Sequence, residues 1–234
     1  VDSLGLVPVD VVSGPASNYV ASAKRAVAGV VGTDSEAGAT EILVVADAAA
    51  DPRLIAADLV SQAEHDEQAS AVLVTDAAKL AEQVAVEVER IAGLTRHSER
   101  VAAALAGPQS AIVLVDDRAM ATAFSNAYAP EHLELHLVDA EEAASAFTSA
   151  GAVFVGDQTP VSLGDYMAGS NHVLPTGGQA RYAPGLGAYT FLRPQQVISY
   201  DRAALALVRA GVVALAESEV LPAHGEAIEA RFSA

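Results

Sequence analysis

The sequence contains no cysteine and no tryptophan, and aromatic residues make up only 5% of its 234 positions. Without thiols there are no disulfides and no thiolate metal sites. Any metal must be held by His, Asp, Glu or neutral oxygen ligands. Bases are also scarce: 13 Lys and Arg stand against 30 Asp and Glu, a formal net charge of −17. So acidic a chain offers no general basic face to nucleic acid and no attraction to anionic membranes. No run of 18 apolar residues is present, so no membrane-crossing helix is expected. Val1-Asp2-Ser3 begins without a basic and apolar leader, and a cytoplasmic location is expected. What is abundant is apolar: 52% of residues are hydrophobic and 18% charged, a globular composition with enough chain to bury a core.

Short β-branched runs alternate with helical spacing. Residues 41–45, 71–74, 111–115, 133–138 and 152–155 read as buried strands. Helices are expected over 17–30, 51–68, 77–91, 98–106, 117–128 and 140–149, with Asp51 as N-cap and Pro52 at the first helical position. The alternation predicts an α/β fold with a mostly parallel sheet and flanking helices. Residues 159–193 are rich in Gly, Pro, Ser and Tyr and read as a long ordered loop. Helical spacing over 201–218 and a short helix after Pro222 form a C-terminal helical arm.

Four polar clusters stand out. Gln62 and His65 lie three apart on an expected helix, where an imidazole and an amide oxygen on one face make a partial metal site or simply a polar helix end. Glu131 and His132 sit on a helix-to-strand connection, and offer two proton-transfer groups or a solvated loop pair. Asp165 and His172 flank a turn whose Gly169 permits φ > 0 and could fold both inward. Glu219 and His224 bracket Pro222 and read locally as surface. His97 and His136 read as structural or solvated, with Leu133, Leu135 and Leu137 on the opposite side of the strand from His136. Gly185-Leu186-Gly187 lacks the third glycine and the preceding strand of a dinucleotide loop.

Together these clusters resemble the histidinol dehydrogenase family. The blocks that carry the resemblance are SGPASNYVASAKRAV, GTDSEAGATEILVVAD, AADLVSQAEHDEQASAVLVTD, NAYAPEHLEL, AGAVFVGDQTPVSLGDYMAGSNHVLPT, TFLR and LPAHGEAI. They run from about Ser13 to the C-terminus and correspond to the C-terminal half of the family sequence.

The resemblance implies a zinc- and NAD-dependent oxidation of L-histidinol to L-histidinal and then L-histidine, the last step of histidine biosynthesis. By motif, Gln62, His65, Asp165 and His224 would ligate zinc, and Glu131 and His132 would be the acid/base pair. Thr40, His172 and Glu219 match substrate-contact positions and would act beside Gln62, His65, His132, Asp165 and His224. The family's Gly-Pro-Gly-Asn before the first helix reads Gly14-Pro15-Ala16-Ser17 here, which leaves Ser17 as the cofactor-contact candidate. Residues 1–40 would close the NAD-binding domain, 41–186 would form the second part of the substrate and zinc domain, and 187–234 the arm. The resemblance also implies a homodimer in which the arm crosses to the partner. With most of the NAD-binding half outside the match, no turnover is expected of the isolated chain. Two rival readings are a family paralogue acting on another alcohol, such as a sulfopropanediol, and a truncated, non-catalytic metal-binding or dimerising module.

Overall fold

The structure, a computed structural model, describes residues 7–14, 18–35 and 38–233. Contacts divide the chain into two compact units, one extending to Leu192 and the other beginning at Arg193.

The first unit carries a two-stranded parallel ribbon, β1 (Val11–Val12) with β2 (Gly32–Thr33), and a five-stranded parallel sheet. The sheet strands are β3 (Glu41–Ala46), β4 (Ser70–Thr75), β5 (Ala111–Leu114), β6 (His132–His136) and β7 (Ala152–Val155), in the order β5-β4-β3-β6-β7. The chain builds outward from β3 to one edge, returns, and builds outward on the other side. Helices α1 (Asn18–Val27), α2 (Pro52–Ala63), α3 (Ala78–Ala92), α4 (Ser98–Ala106), α5 (Arg118–Tyr128), α6 (Ala140–Ala143) and α7 (Val161–Tyr166) complete the unit. The α/β class and the parallel sheet are as the alternating pattern predicts.

Strand periodicity sorts the core into two layers. Ile42, Val44 and Leu73 pack against Ile55 and Leu59 of α2 and Leu80 and Val84 of α3. Leu43, Val45, Leu133 and Leu135 pack on the other face with Ala121 of α5, Ala140 of α6 and Phe147. Each fully buried Leu or Ile contributes about 1.5–3 kcal/mol, so the sheet is held from both sides. β5 and β7 are edge strands, and Leu114 and Val153 there are partly exposed rather than buried.

Several boundaries differ from the sequence pattern. Asp51 does cap α2, accepting from the Arg53 N–H, with Pro52 at its first position. That helix stops at Ala63 instead of Gln68, because Asp66 forms its own turn, accepting from the Gln68 and Ala69 amides. β6 ends at His136 instead of Val138, where the Asp47 carboxylate takes the Val138 N–H. The helix expected over 140–149 is α6 followed by a single 3-10 turn, Ala144–Ala146. The long loop expected over 159–193 contains α7 and two further 3-10 turns, Gln179–Arg181 and Ala188–Phe191.

The second unit is a helical arm, α8 (Arg202–Ser218) and α9 (Pro222–Glu229). Arg209 pairs with Glu229 and lies 4.5 Å over the Phe232 ring. α9 packs on α8, with Gly225 beside Val213 and Ala216. Among the described residues no helix is long and apolar enough to cross a membrane.

Candidate active site

The edge of the sheet where the strands begin gathers the polar side chains. Ile42 of β3 lies opposite His132 of β6, so Thr40 and Glu41 at the head of one strand stand beside Glu131 and His132 at the head of the other. α2 runs back along the sheet and brings Gln62, in its last turn, to the same edge. Gln62, Glu131 and His132 are 2%, 8% and 4% exposed. Glu131 and His132 are therefore not a solvated loop pair.

Thr40 organises this edge. Its hydroxyl donates to Glu131 Oε2 at 2.7 Å, and the Glu41 N–H donates to the same oxygen at 3.0 Å. A hydroxyl has one hydrogen, and here the carboxylate takes it. The Thr40 oxygen must then accept, and it accepts from Gln62 Nε2. This fixes which way the amide faces: Gln62 Oε1 turns away from Thr40, and no hydrogen bond among the described residues reaches it.

The tautomer of His132 is fixed in the same manner. Its Nδ1 lies 2.9 Å from the Glu41 carbonyl oxygen. A carbonyl only accepts, so Nδ1 carries the hydrogen and Nε2 of the neutral ring is the bare, basic nitrogen. Phe154 packs against the imidazole with ring centroids 6.0 Å apart.

Glu41 also belongs to the site, a role that no local sequence pattern signals. Its Oε1 accepts from the Gly177 N–H at 2.9 Å and its Oε2 from the Glu131 N–H at 3.3 Å. Burial pushes its carboxyl up, against the pull of those two amides. Thr176, 2% exposed, accepts from the Gly38 N–H, so this part of the Gly-rich segment closes onto the edge. Two close approaches require glycine. A Cβ on Gly151 would sit 2.6 Å from the Glu131 carbonyl oxygen, and one on Gly164 would sit 2.6 Å from the Phe154 ring.

The other candidates are placed less tightly. His65 lies in the turn after α2 and is exposed, so it does not share a helical face with Gln62. Asp165 occupies the last turn of α7 and is half-buried. His172 is exposed and does not fold inward beside it, while Gly169 does adopt φ +78°. Glu219, which ends α8, and His224 of α9 are exposed and belong to the second unit. Ser17 lies outside the described residues.

One further cluster was not foreseen. Among the described residues, Asp58, Glu134 and His136 form the one group of three His, Asp or Glu whose ligand atoms lie within 4.8 Å of one another. It differs from the zinc set the resemblance implies, but its geometry would also admit a metal ion. Glu134 Oε2 lies 3.3 Å from His136 Nε2, and Asp58 Oδ2 lies 4.0 Å from that nitrogen. Burial, and then the charge of Glu134, push Asp58 up to about 7. His136 is buried rather than solvated, because α2 covers this face of β6. The available signal was His132-Leu133-Glu134-Leu135-His136, three polar side chains on one face of a strand.

The sequence model of histidinol dehydrogenase matches residues 4–232. A histidinol dehydrogenase of Leifsonia xyli subsp. xyli is 63% identical over 232 residues, covering 99% of this chain and 53% of that protein. One of Corynebacterium glutamicum is 56% identical, covering 99% and 52%. The crystal structure of histidinol dehydrogenase from Elizabethkingia anophelis superposes with a TM-score of 0.90 at 35% identity, over 97% of this chain and 52% of that one. The chain thus spans about half the length of the relatives it matches. The chain belongs to the histidinol dehydrogenase family.

Proposed function

We propose that this chain carries the zinc-binding and proton-transfer residues of an enzyme that oxidises L-histidinol to L-histidinal and then to L-histidine. The supporting observation is the Thr40 hydroxyl bridge, which leaves Gln62 Oε1 free of hydrogen bonds beside a His132 whose Nε2 is basic.

The donor chemistry fits zinc. Gln62 Oε1, the imidazoles of His65 and His224 and the Asp165 carboxylate give two nitrogens and two oxygens, within zinc's ordinary range. When bound, zinc would orient the substrate through its amino and imidazole nitrogens. His132 Nε2 takes the hydroxyl proton of the alcohol as a hydride leaves the adjacent carbon. Glu131, held through Oε2 by Thr40 and Glu41, takes a proton from the water that attacks the aldehyde. Bound NAD would supply the hydride acceptor for each oxidation; Ser17, the candidate to meet it, lies outside the described residues.

Thr40, His172 and Glu219 are proposed to contact substrate with Gln62, His65, His132, Asp165 and His224. The Thr40 hydrogen is already committed to Glu131, so toward substrate Thr40 only accepts. Residues 1–40, 41–186 and 187–234 are proposed as the end of the NAD domain, the substrate domain and the arm. The arm is proposed to cross to a second copy in a homodimer. Exposed Val197, Ile198, Leu207 and Leu215 give it apolar surface for such a contact. A cytoplasmic location is part of the proposal, and the net charge of −17 would work against binding nucleic acid or anionic membrane.

Calorimetric titration of the zinc-loaded chain with L-histidinol and with a sulfopropanediol tests the substrate. Saturable binding of histidinol, lost when zinc is removed, is expected, with the sulfonate weaker. Stronger binding of the sulfonate would favour the paralogue reading, and binding of neither alcohol would favour a non-catalytic module.

A further inference from the structure

The polar cluster at the sheet–helix interface touches the three elements that carry Gln62, His132 and Asp165. Asp58 lies on α2, one helical turn before Gln62. Glu134 lies on β6, two residues after His132 and on the same face. Glu134 Oε1 accepts the Val161 N–H at 2.8 Å, and Val161 begins α7, one turn before Asp165. That bond is buried and satisfies one of the first-turn amides of α7, for which Pro160 supplies no side-chain cap. Glu134 is 1% exposed and its bond to the Val161 N–H is buried, while Asp58 is half-buried at the margin of the cluster.

We infer that Glu134, with Asp58 and His136, is a positioning unit that sets α2 and α7 against β6, and so places Gln62 and Asp165 relative to His132. The inference rests on the proposed zinc and proton-transfer roles of those three residues. Glu134 faces two groups at once: Oε1 holds α7 and Oε2 lies 3.3 Å from His136 Nε2, with the Asp58 carboxyl within 4.8 Å in the same cluster. Two buried carboxyl groups this close share a proton more stably than they bear two charges. The raised Asp58 agrees with a proton held between Asp58 and Glu134, which couples α2 to β6 by a hydrogen bond instead of repulsion. A second link, one turn on in the last turn of α2, runs from Gln62 through Thr40 to Glu131. The helix is therefore pinned to β6 at two levels one turn apart.

Hydrogen exchange and zinc affinity together test this in the 234-residue chain. Glu134→Leu orphans the Val161 N–H. It is expected to speed amide exchange over 161–166 by at least about tenfold, with β3 and β4 little changed, and to weaken zinc about 10–100-fold, as loss of supporting partners does at metal sites. Glu134→Gln keeps an acceptor for Val161 and is expected to restore both readings to near wild type, which a need for bulk or charge alone would not explain. Should Glu134→Leu fail to fold, the wild-type chain still answers. Zinc is expected to slow exchange at Val161 and along α2 together, although neither Val161 nor Asp58 is a proposed ligand. Exchange at 161–166 unchanged in Glu134→Leu, or raised equally throughout the sheet, would overturn the inference. So would zinc binding that leaves Val161 untouched, or a second zinc per chain that Asp58→Asn abolishes. Failure of the wild type to bind zinc at all would instead defeat the functional reading. The response of α7 to Glu134→Leu would then still decide whether the tie exists.

Discussion

Gln62 and Glu131 meet at one hydroxyl: Thr40 donates to the carboxylate of one and accepts from the amide of the other. These residues come from three places in the chain, the loop before β3, the end of α2 and the start of β6. Their common meeting point is what gives the Gln62 amide a direction. Thr40→Val keeps the shape and removes both bonds, leaving a buried carboxylate and a buried amide short of a partner. A loss of about 1–3 kcal/mol in unfolding free energy is expected, with zinc weakened about tenfold or more. Thr40→Ser should retain most of both. Urea unfolding and chelator competition measure the two, and a Thr40→Val chain that keeps wild-type zinc affinity would contradict the orientation argument.

Stability should depend on pH through groups of opposite sign, Asp58 and Asp34 among them. Asp58 is pushed up from 3.8 to about 7 by burial and by the charge of Glu134. The folded chain thus holds a proton that the unfolded chain has released, so stability is full below about pH 4 and falls as pH rises toward about 7. Asp34 behaves oppositely. Burial raises it, but hydrogen bonds from Lys24, Ser35, Gly14 and Ser13 outweigh that and bring it to about 2. Its contribution is full above about pH 4 and is lost as pH falls through about 2. Urea midpoints should decline from about pH 4 to about 7, and Asp58→Asn should reduce the slope of that limb while leaving the acid limb unchanged. An unchanged slope in Asp58→Asn would assign the dependence elsewhere.

The two proton-transfer residues should divide the reaction. In a full-length protein carrying these residues, His132→Asn is expected to slow histidinol oxidation more than oxidation of supplied histidinal. Glu131→Gln should do the reverse, each by about 10²–10⁴-fold on the affected half. Stopped-flow NADH formation from each substrate separates them, and equal slowing of both halves by both variants would remove the division of roles.

Much of this was legible in the sequence, for physical reasons. The layered sheet follows from β-branched runs spaced by helices, and Asp51-Pro52 marked the start of α2 correctly. The end of that helix was misplaced because helical periodicity continues to Gln68, while the local turn made by Asp66 prevails over it. The same periodicity places His65 on the face of Gln62, whereas it sits in the turn after α2. Glu41 was missed because an acid at the head of a strand reads as a solvent-facing end. Its role depends on Gly177, which is 136 positions away and which no local pattern connects to it. The Asp58, Glu134 and His136 cluster needed the register of α2 on β6, which is a tertiary fact. A turn at Gly169 could fold His172 inward with Asp165; Gly169 does take a positive φ, yet His172 is exposed.

If the arm crosses between subunits, complementary lesions should rescue each other. His65→Ala and His224→Ala chains, mixed after dissociation and allowed to reassociate, would form half hetero-dimers, each with one intact site of two. Zinc retention near a quarter of wild type is expected. Retention no higher than that of either variant alone, with subunit exchange verified, would place His224 in its own subunit's site.

Zinc content of the dialysed 234-residue chain bears most directly on the proposed site. One zinc per chain is expected for the wild type, with loss in His65→Ala and in Asp165→Asn, and weaker retention below about pH 6 as the imidazoles protonate. Equal zinc in the wild type and both variants, or none in the wild type, would contradict it.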